Sequence, residues 1–369
     1  MTALRLAVAA CGAHWEPAVL AEIERDRAIT LVRRCVDVAD LLATIGAHRI
    51  DVALLAVQAP GLDAGVVARL VEAGVRPCAV EADGSALGID HTARVGRLAE
   101  LAAARIEPRE EVVDGDGGRL VAVWGPTGAP GRSTLAVSIC AATAAAGHAT
   151  ALVDADVHGG AIGQLLGVLD EVSGVMAACR DVDRGRVARV STHLLRLHDS
   201  WTLLTGLPRT DMWRHVRTEA LVGVLDALRR DHETVVVDLG FDVDEASPSS
   251  PGRIARRILE LADEVVVVGS ADPVGLARLV RALEETADEV SRPPRIVLNR
   301  FRATSGWSER EVVSAVRELA GRTPWAVLPL DQAAHDAAAM AGRPLREVAP
   351  TSRYVSRVER LAVSLATSR

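Results

Sequence analysis

One stretch of the chain limits the fold more than any other. Leu120–Trp124 is an apolar run of strand length, a helix is predicted to begin near Ser133, and between them lies Gly125-Pro-Thr-Gly-Ala-Pro-Gly-Arg-Ser-Thr134. A buried strand that turns through glycines straight into a helix is half of a β-α-β unit, so a parallel sheet covered by helices must surround it. Such a turn aims consecutive backbone N–H groups into one concavity at a helix N-terminus, where they cradle phosphate. Gly128 and Gly131 give the turn its freedom, Arg132 a positive charge, and Ser133 a hydroxyl for Mg²⁺. The charge is arginine for a global reason: the chain has no lysine, and all 42 basic residues are arginine.

The rest of the chain fits that frame. Further strands are predicted at Ala149–Asp154, Thr234–Asp238, Glu264–Val268, Arg295–Asn299 and Ala326–Pro329. Continuous apolar runs such as VVVDL and EVVVVG suit strands buried on both faces, and the helical segments between them complete a doubly wound α/β fold. A smaller α/β block precedes it. There strands at Leu4–Ala9, Ile29–Arg34, Val52–Val57 and Pro77–Glu81 alternate with helices at Glu16–Arg25, Val38–Ile45, Ala64–Glu72 and Thr92–Arg105. Residues 107–118 (EPREEVVDGDGG) are acidic and punctuated by Gly and Pro, as a solvated linker would be. The expected organisation is therefore a flavodoxin-like domain over 1–106, a linker over 107–118 and a nucleotide-binding domain over 119–369.

Composition excludes several classes. A net charge of −7 argues against wholesale attraction to nucleic acid or anionic lipid. Five cysteines without C-x-x-C spacing read as small apolar residues in a reducing compartment. No signal-peptide pattern opens the chain, and the longest apolar run, Leu135–Val153, is broken by Gly147 and His148. A cytoplasmic protein is expected.

Three further constellations carry chemistry. Asp154 and Asp156 leave the second strand two residues apart, where they could hold Mg²⁺ through water or polarise an attacking water. An Asp-capped turn would use the same residues. Asp238 ends the VVVDL strand where a magnesium-binding aspartate belongs. In VLNR, Asn299 can pair with the edge of adenine beside Arg300, and the turn Pro329-Leu330-Asp331 can present backbone groups next to it.

Together these residues resemble the MinD/ParA family of deviant Walker A P-loop ATPases, in particular its CpaE/TadZ-like branch. On the family's KGGxGK[ST]T loop, Thr127 falls at the first lysine and Gly128 and Ala129 at the two glycines. Pro130 falls at the variable position, Gly131 at the third glycine, Arg132 at the second lysine, and Ser133 and Thr134 at the hydroxyl pair. Asp154 and Asp156 match switch I, Asp238 matches switch II, Asn299 matches the base-reading asparagine, and Pro329 and Asp331 match the P-x-D turn. The resemblance implies ATP and Mg²⁺ as ligands, the ion being held by Ser133, Asp154 and Asp238, partly through water. It implies catalysis by Asp156, Arg132 and Asp154, and a nucleotide-dependent homodimer. It further implies a role in positioning a division septum or a Flp/Tad-type pilus machine through protein partners, with recruitment to pole or septum and membrane contact only through those partners. The departures are neutral Thr127, arginine at 132, and Pro130, which lacks an N–H donor. They leave open a non-hydrolysing pseudo-ATPase scaffold.

The first block resembles a response-regulator receiver over Asp51–Ala64 (DVALLAVQAPGLDA), but Ala56 stands where that family carries its phosphoacceptor aspartate. Ala9, Ala10 and Cys11 replace its acidic pair. A methyl group cannot form an acyl phosphate, so a degenerate receiver that docks or self-associates is expected. From residue 292 onward thirteen arginines face seven carboxylates. A solvated helical surface is favoured there over weak nonspecific DNA contact. Tyr354, Val358, Leu361 and Leu365 share one helical face, expected to pack on the domain and not on a membrane.

Overall fold

The computed structural model describes residues 4–26, 28–48, 50–73, 75–89, 91–98, 101, 117–128, 131–168, 172–198, 201–244, 250–286, 290, 293–303 and 306–367. The chain forms two compact units that part near residue 115.

The first unit holds strands β1 (Leu4–Ala9), β2 (Ile29–Arg34), β3 (Val52–Leu55), β4 (Arg76–Val80) and β5 (His91–Ala93). All pair in parallel in the order β2-β1-β3-β4-β5, the order of flavodoxin-like folds. Strand alternation divides the core in two. Ala7, Ala9, Ala53 and Leu55 face Leu41, Val66 and Leu70 of the helices Val38–Ala47 and Ala64–Glu72. Leu6, Val8, Val52 and Leu54 face Val19 and Ile23 of the Glu16–Arg25 helix on the other side. Asp37 and Asp63 start their helices by accepting the backbone N–H groups of Asp40 and Val66.

The second unit holds β6 (Arg119–Trp124), β7 (Thr150–Ala155), β8 (Leu195–His198), β9 (Trp201–Leu204), β10 (Thr234–Leu239), β11 (Glu264–Ser270), β12 (Arg295–Phe301) and β13 (Ala326–Pro329). Their order is β13-β12-β11-β6-β10-β7-β9-β8, parallel throughout except for the β8–β9 pair. The chain fills one side of β6, crosses it between β10 and β11, and fills the other. In such sheets the ligand crevice lies outside the strand C-termini at that switch. Strands β7 and β10 are buried along their whole length; each buried Val or Leu there contributes about 1.5–3 kcal/mol.

The Arg132–Ala145 helix that follows β6 is buried nearly all round. The C-terminal helix Arg353–Thr367 covers it, with Tyr354, Val358, Leu361 and Leu365 all buried in the shared core. That face packs on the domain, as its spacing predicts.

Two expectations change. Thr92 and Ala93 belong to β5, not to the start of a helix: His91–Ala93 pairs with Cys78–Val80 of β4. The remainder of the expected helix falls partly outside the described residues, as does the linker except for Gly117 and Gly118. The β8–β9 ribbon was not anticipated. No helix among the described residues is long and apolar enough to cross a membrane.

Candidate functional site

The glycine loop is shaped by what stands against it. Gly131 caps the Arg132–Ala145 helix with φ +98°, and a Cβ there would collide with the Asn299 amide Nδ2. Gly128 has φ +69°, and its Cβ would collide with Nη1 of Arg278. Both positions need glycine for backbone conformation, and at Gly131 the Asn299 amide crowds the space as well. The helix N-terminus they open carries free N–H groups and the positive end of the helix dipole.

Arg132 is the first residue of that helix, and its side chain folds back over the loop. Nη1 donates to the carbonyl oxygens of Gly125 at 3.0 Å and Pro126 at 3.2 Å, while Nη2 lies 3.6 Å from Oδ2 of Asp156. Its Nε is buried and finds no acceptor among the described residues. Ala129 and Pro130, expected in the same loop, lie outside the described residues.

Facing the loop is a wall of acid. Asp238 of β10 is the register partner of Asp154 of β7, so both carboxylates leave the sheet at the same height. Asp238 is fully buried, and among the described residues neither of its oxygens meets a donor at full hydrogen-bonding geometry, although the Ser133 hydroxyl lies beside it. Burial and the nearby Asp154 push its pKa well up, against a smaller downward pull from the Ser133 hydroxyl and Arg132. Asp154 is also buried, with its pKa raised by desolvation and by Asp156, although it accepts from the N–H of Asp156 (3.3 Å) and of Ile162 (3.2 Å). Gly160 and Gly206 leave room for it: a Cβ on either would come within 2.6 Å of its carboxyl group. Asp156 accepts from the N–H of His158 at 2.9 Å and faces Arg132.

Two buried carboxylates with too few donors form a site that is unfavourable alone and favourable around a cation. The described residues contain no cluster of three metal-binding side chains. Mg²⁺ is an ion held by one or two carboxylates, water and phosphate oxygens. Asp238 and Asp154, with the Ser133 hydroxyl beside Asp238, fit that requirement.

A cleft opens on the other flank of the loop, lined by Gly131, Thr134, Asn299, Arg300, Pro329, Leu330, Gln332 and His335. Arg300 takes the left-handed region at φ +57°, and the β12–β13 register shifts between Leu298 and Phe301. That strain, about 1–2 kcal/mol for a non-glycine residue, sits beside the cleft, as strain at binding sites often does. His335 is fixed there: Nδ1 donates to the Asp331 carbonyl at 2.7 Å, and the ring meets buried Tyr354 edge-on at 4.8 Å.

The structure thus brings together Gly128, Gly131, Arg132, Ser133, Asp154, Asp156 and Asp238 on one side, and Thr134, Asn299, Arg300 and Pro329 on the other. Asp331 does not join them. Its carboxylate caps the Gln332–Ala341 helix through the N–H of Ala334 (3.2 Å) and accepts from the Ser352 hydroxyl (2.6 Å), so it holds the turn and does not line the cleft. Sequence reasoning missed Gln332, His335 and Arg278. The two cleft residues could have been found one helical turn past the P-x-D motif; Arg278, 151 residues from Thr127, carried no local signal.

A family model described as the CobQ/CobB/MinD/ParA nucleotide binding domain matches residues 121–344, more than half of the chain. No curated protein matches it significantly. Among solved structures, a ParA family ATPase from Chlorobium tepidum TLS aligns with a TM-score of 0.58 at 18% identity, covering 66% of this chain and 98% of that one. The MinC:MinD cell division protein complex of Aquifex aeolicus aligns at 0.55 and 16%, covering 68% and 97%. The septum site-determining protein MinD complexed with Mg-ADP from Pyrococcus horikoshii OT3 aligns at 0.51 and 16%, covering 68% and 96%. At these identities the likeness is one of fold.

Proposed function

The chain belongs to the CobQ/CobB/MinD/ParA nucleotide-binding family, and on that premise we propose that it binds Mg-ATP and hydrolyses it slowly. The observation that carries the reading is the fully buried, unpartnered Asp238 carboxylate beside Ser133, at the foot of a helix N-terminus built for phosphate. Backbone N–H groups from Gly128 to Thr134, with Pro130 contributing none, hold the β- and γ-phosphates. Arg132 leaves its carbonyl partners to join them, since a charge-assisted bond to phosphate outweighs one to a neutral carbonyl. Ser133, Asp154 and Asp238 hold magnesium, partly through water, and the ion would neutralise phosphate charge. Asp156 positions the attacking water, and Asn299, Arg300 and Pro329 hold the base. Slow turnover follows from Thr127, which supplies no charge to the developing transition state.

We further infer a CpaE/TadZ-like role, in which ATP drives homodimerisation and the protein, cytoplasmic and recruited to pole or septum, positions a division septum or Flp/Tad-type pilus machine. The MinC:MinD complex among the fold relatives supports protein partners. Weak nonspecific DNA contact through the C-terminal arginines would be secondary. Residues 1–106 would form a degenerate receiver joined by the 107–118 linker to the ATPase over 119–369. The β2-β1-β3-β4-β5 order supports this, as do Ala10, Cys11 and Ala56 at the strand ends where acidic residues would be needed. Thr127 favours one second reading, a scaffold that binds nucleotide without turnover.

Mg-ATP binding by titration calorimetry and phosphate release, on wild type, Arg132→Ala and Asp156→Ala, test the reading. Binding that is lost in Arg132→Ala, with turnover lost in Asp156→Ala, is the expected result. Absence of binding by folded wild type would sink it, and binding without phosphate release would select the scaffold.

A further inference from the structure

The glycine loop has a second positive charge over it that comes from far along the chain. Arg278 lies on the Pro273–Glu285 helix, which follows β11, the parallel neighbour of β6. The start of that helix is fixed. Asp272 caps it by accepting from Val274 (3.1 Å) and Gly275 (2.9 Å) and is held in turn by the Ser270 hydroxyl. From there the Arg278 guanidinium reaches the loop that β6 feeds. Its Nη1 donates to the Thr127 carbonyl at 3.5 Å, the outer limit of a hydrogen bond, and fills the space that a side chain at Gly128 would need.

The two arginines at the loop differ in their engagements. Arg132 is half-buried and bound to two carbonyls and a carboxylate. Arg278 is exposed, its only close hydrogen bond among the described residues is the long one to Thr127, and the Asp272 carboxylate attracts it from the start of its own helix. A guanidinium carries five N–H donors, and one long bond to a neutral oxygen leaves most of them for a better acceptor. Phosphate oxygens are that acceptor, and they bind arginine in a fork that a neutral carbonyl cannot match.

We propose that Arg278 is a phosphate-binding residue that contacts the nucleotide in its own chain's loop and supplies the positive charge absent at Thr127. The position is apt because the Thr127 carbonyl and Gly128 are the groups it already touches. Arg281, exposed three residues further along the same helix, provides the comparison: it shares the helix, but among the described residues it makes no hydrogen bond to the loop.

The inference rests on the nucleotide reading above and is tested by Mg-ATP titration calorimetry on the full chain. Arg278→Ala should weaken binding by about tenfold or more, the scale of a lost charge-assisted bond. Arg281→Ala should leave it unchanged. Adding Thr127→Lys to Arg278→Ala should restore affinity, because charge returns to the same end of the loop. Thermal melts check that the exposed substitutions leave the fold intact. If wild type binds Mg-ATP and Arg278→Ala binds it equally well, or if Arg281→Ala loses as much, this assignment is overturned while the nucleotide reading stands. If folded wild type binds no nucleotide, both fall.

Discussion

The two units are built on the same plan and differ at the same place. In each, parallel strands end in turns that lead into helices, which puts a crevice at the strand C-termini. In the second unit those ends carry Gly128, Gly131, Asp154 and Asp238, with buried carboxylates short of donors. In the first, β1 runs into Ala10 and Cys11, the latter at φ +48°, and β3 runs into Ala56. Among the described residues at those strand ends, no buried side-chain oxygen lacks a hydrogen-bond partner. The Ala56 N–H donates to the Ala9 carbonyl at 3.3 Å, and its own carbonyl accepts from Ala59 at 2.9 Å. Topology supplies the crevice, and a handful of side chains decides whether it keeps buried carboxyl groups in reserve for a ligand or is closed as ordinary structure.

The contrast can be broken most sharply at Gly131. Gly131→Ala must take φ +98° and displace Asn299, so Mg-ATP affinity should fall by more than about hundredfold, roughly 3 kcal/mol. Calorimetry checks this, and retained binding would show that the loop is not the phosphate site. Asp238→Asn tests the stored charge. Replacing a buried, unpartnered carboxylate by a neutral amide should stabilise the nucleotide-free protein by about 1–3 kcal/mol in urea unfolding. It should also remove the stabilisation that Mg²⁺ and ATP give the wild type; a destabilised variant would mean that the carboxylate has a structural partner.

A pH series reads the same imbalance without mutation. Asp154 and Asp238 have raised pKa values when folded, so the folded state keeps protons that the unfolded chain releases above about pH 4. Stability of the nucleotide-free protein should therefore fall as pH rises from there toward neutrality, by up to about 1.4 kcal/mol per pH unit for each retained proton. Asp238→Asn should flatten the slope, and a wild-type profile that rises across this window would refute the assignment. The smallest effect belongs to the first unit. Ala56→Asp restores a carboxylate at the end of β3 but not the acidic pair beyond β1. Mass spectrometry after treatment with a small phosphodonor should show no added phosphate, and Mg-ATP affinity should not change.

Much of the fold was legible because buried parallel strands announce themselves as unbroken apolar runs; Thr234–Leu239 and Glu264–Ser270 needed little else. The β8–β9 ribbon escaped because LRLH and WTLL are only four residues each; β8 lies at the sheet edge, while buried β9 between β7 and β8 is too short for its apolar run to stand out. His91–Ala93 escaped for the same reason, with two of its three residues exposed. Within the site, the glycines and aspartates were legible because phosphate and magnesium demand those residue types at fixed offsets along one strand and turn. The task of the Asp331 carboxylate was not legible, because a P-x-D turn and a helix cap use the same aspartate, and only the structure shows it bound to the Ala334 N–H and the Ser352 hydroxyl. Arg278 could not be seen at all, since its relation to Thr127 is made by the β6–β11 pairing and by no sequence spacing.

The site draws on five strand ends and on His335, so its parts are spread from Gly128 to the Gln332–Ala341 helix. During synthesis the loop emerges long before the cleft. A chain that has grown only through β11 owns a phosphate cradle without Asn299, Arg300, Pro329 or His335 to complete the base side.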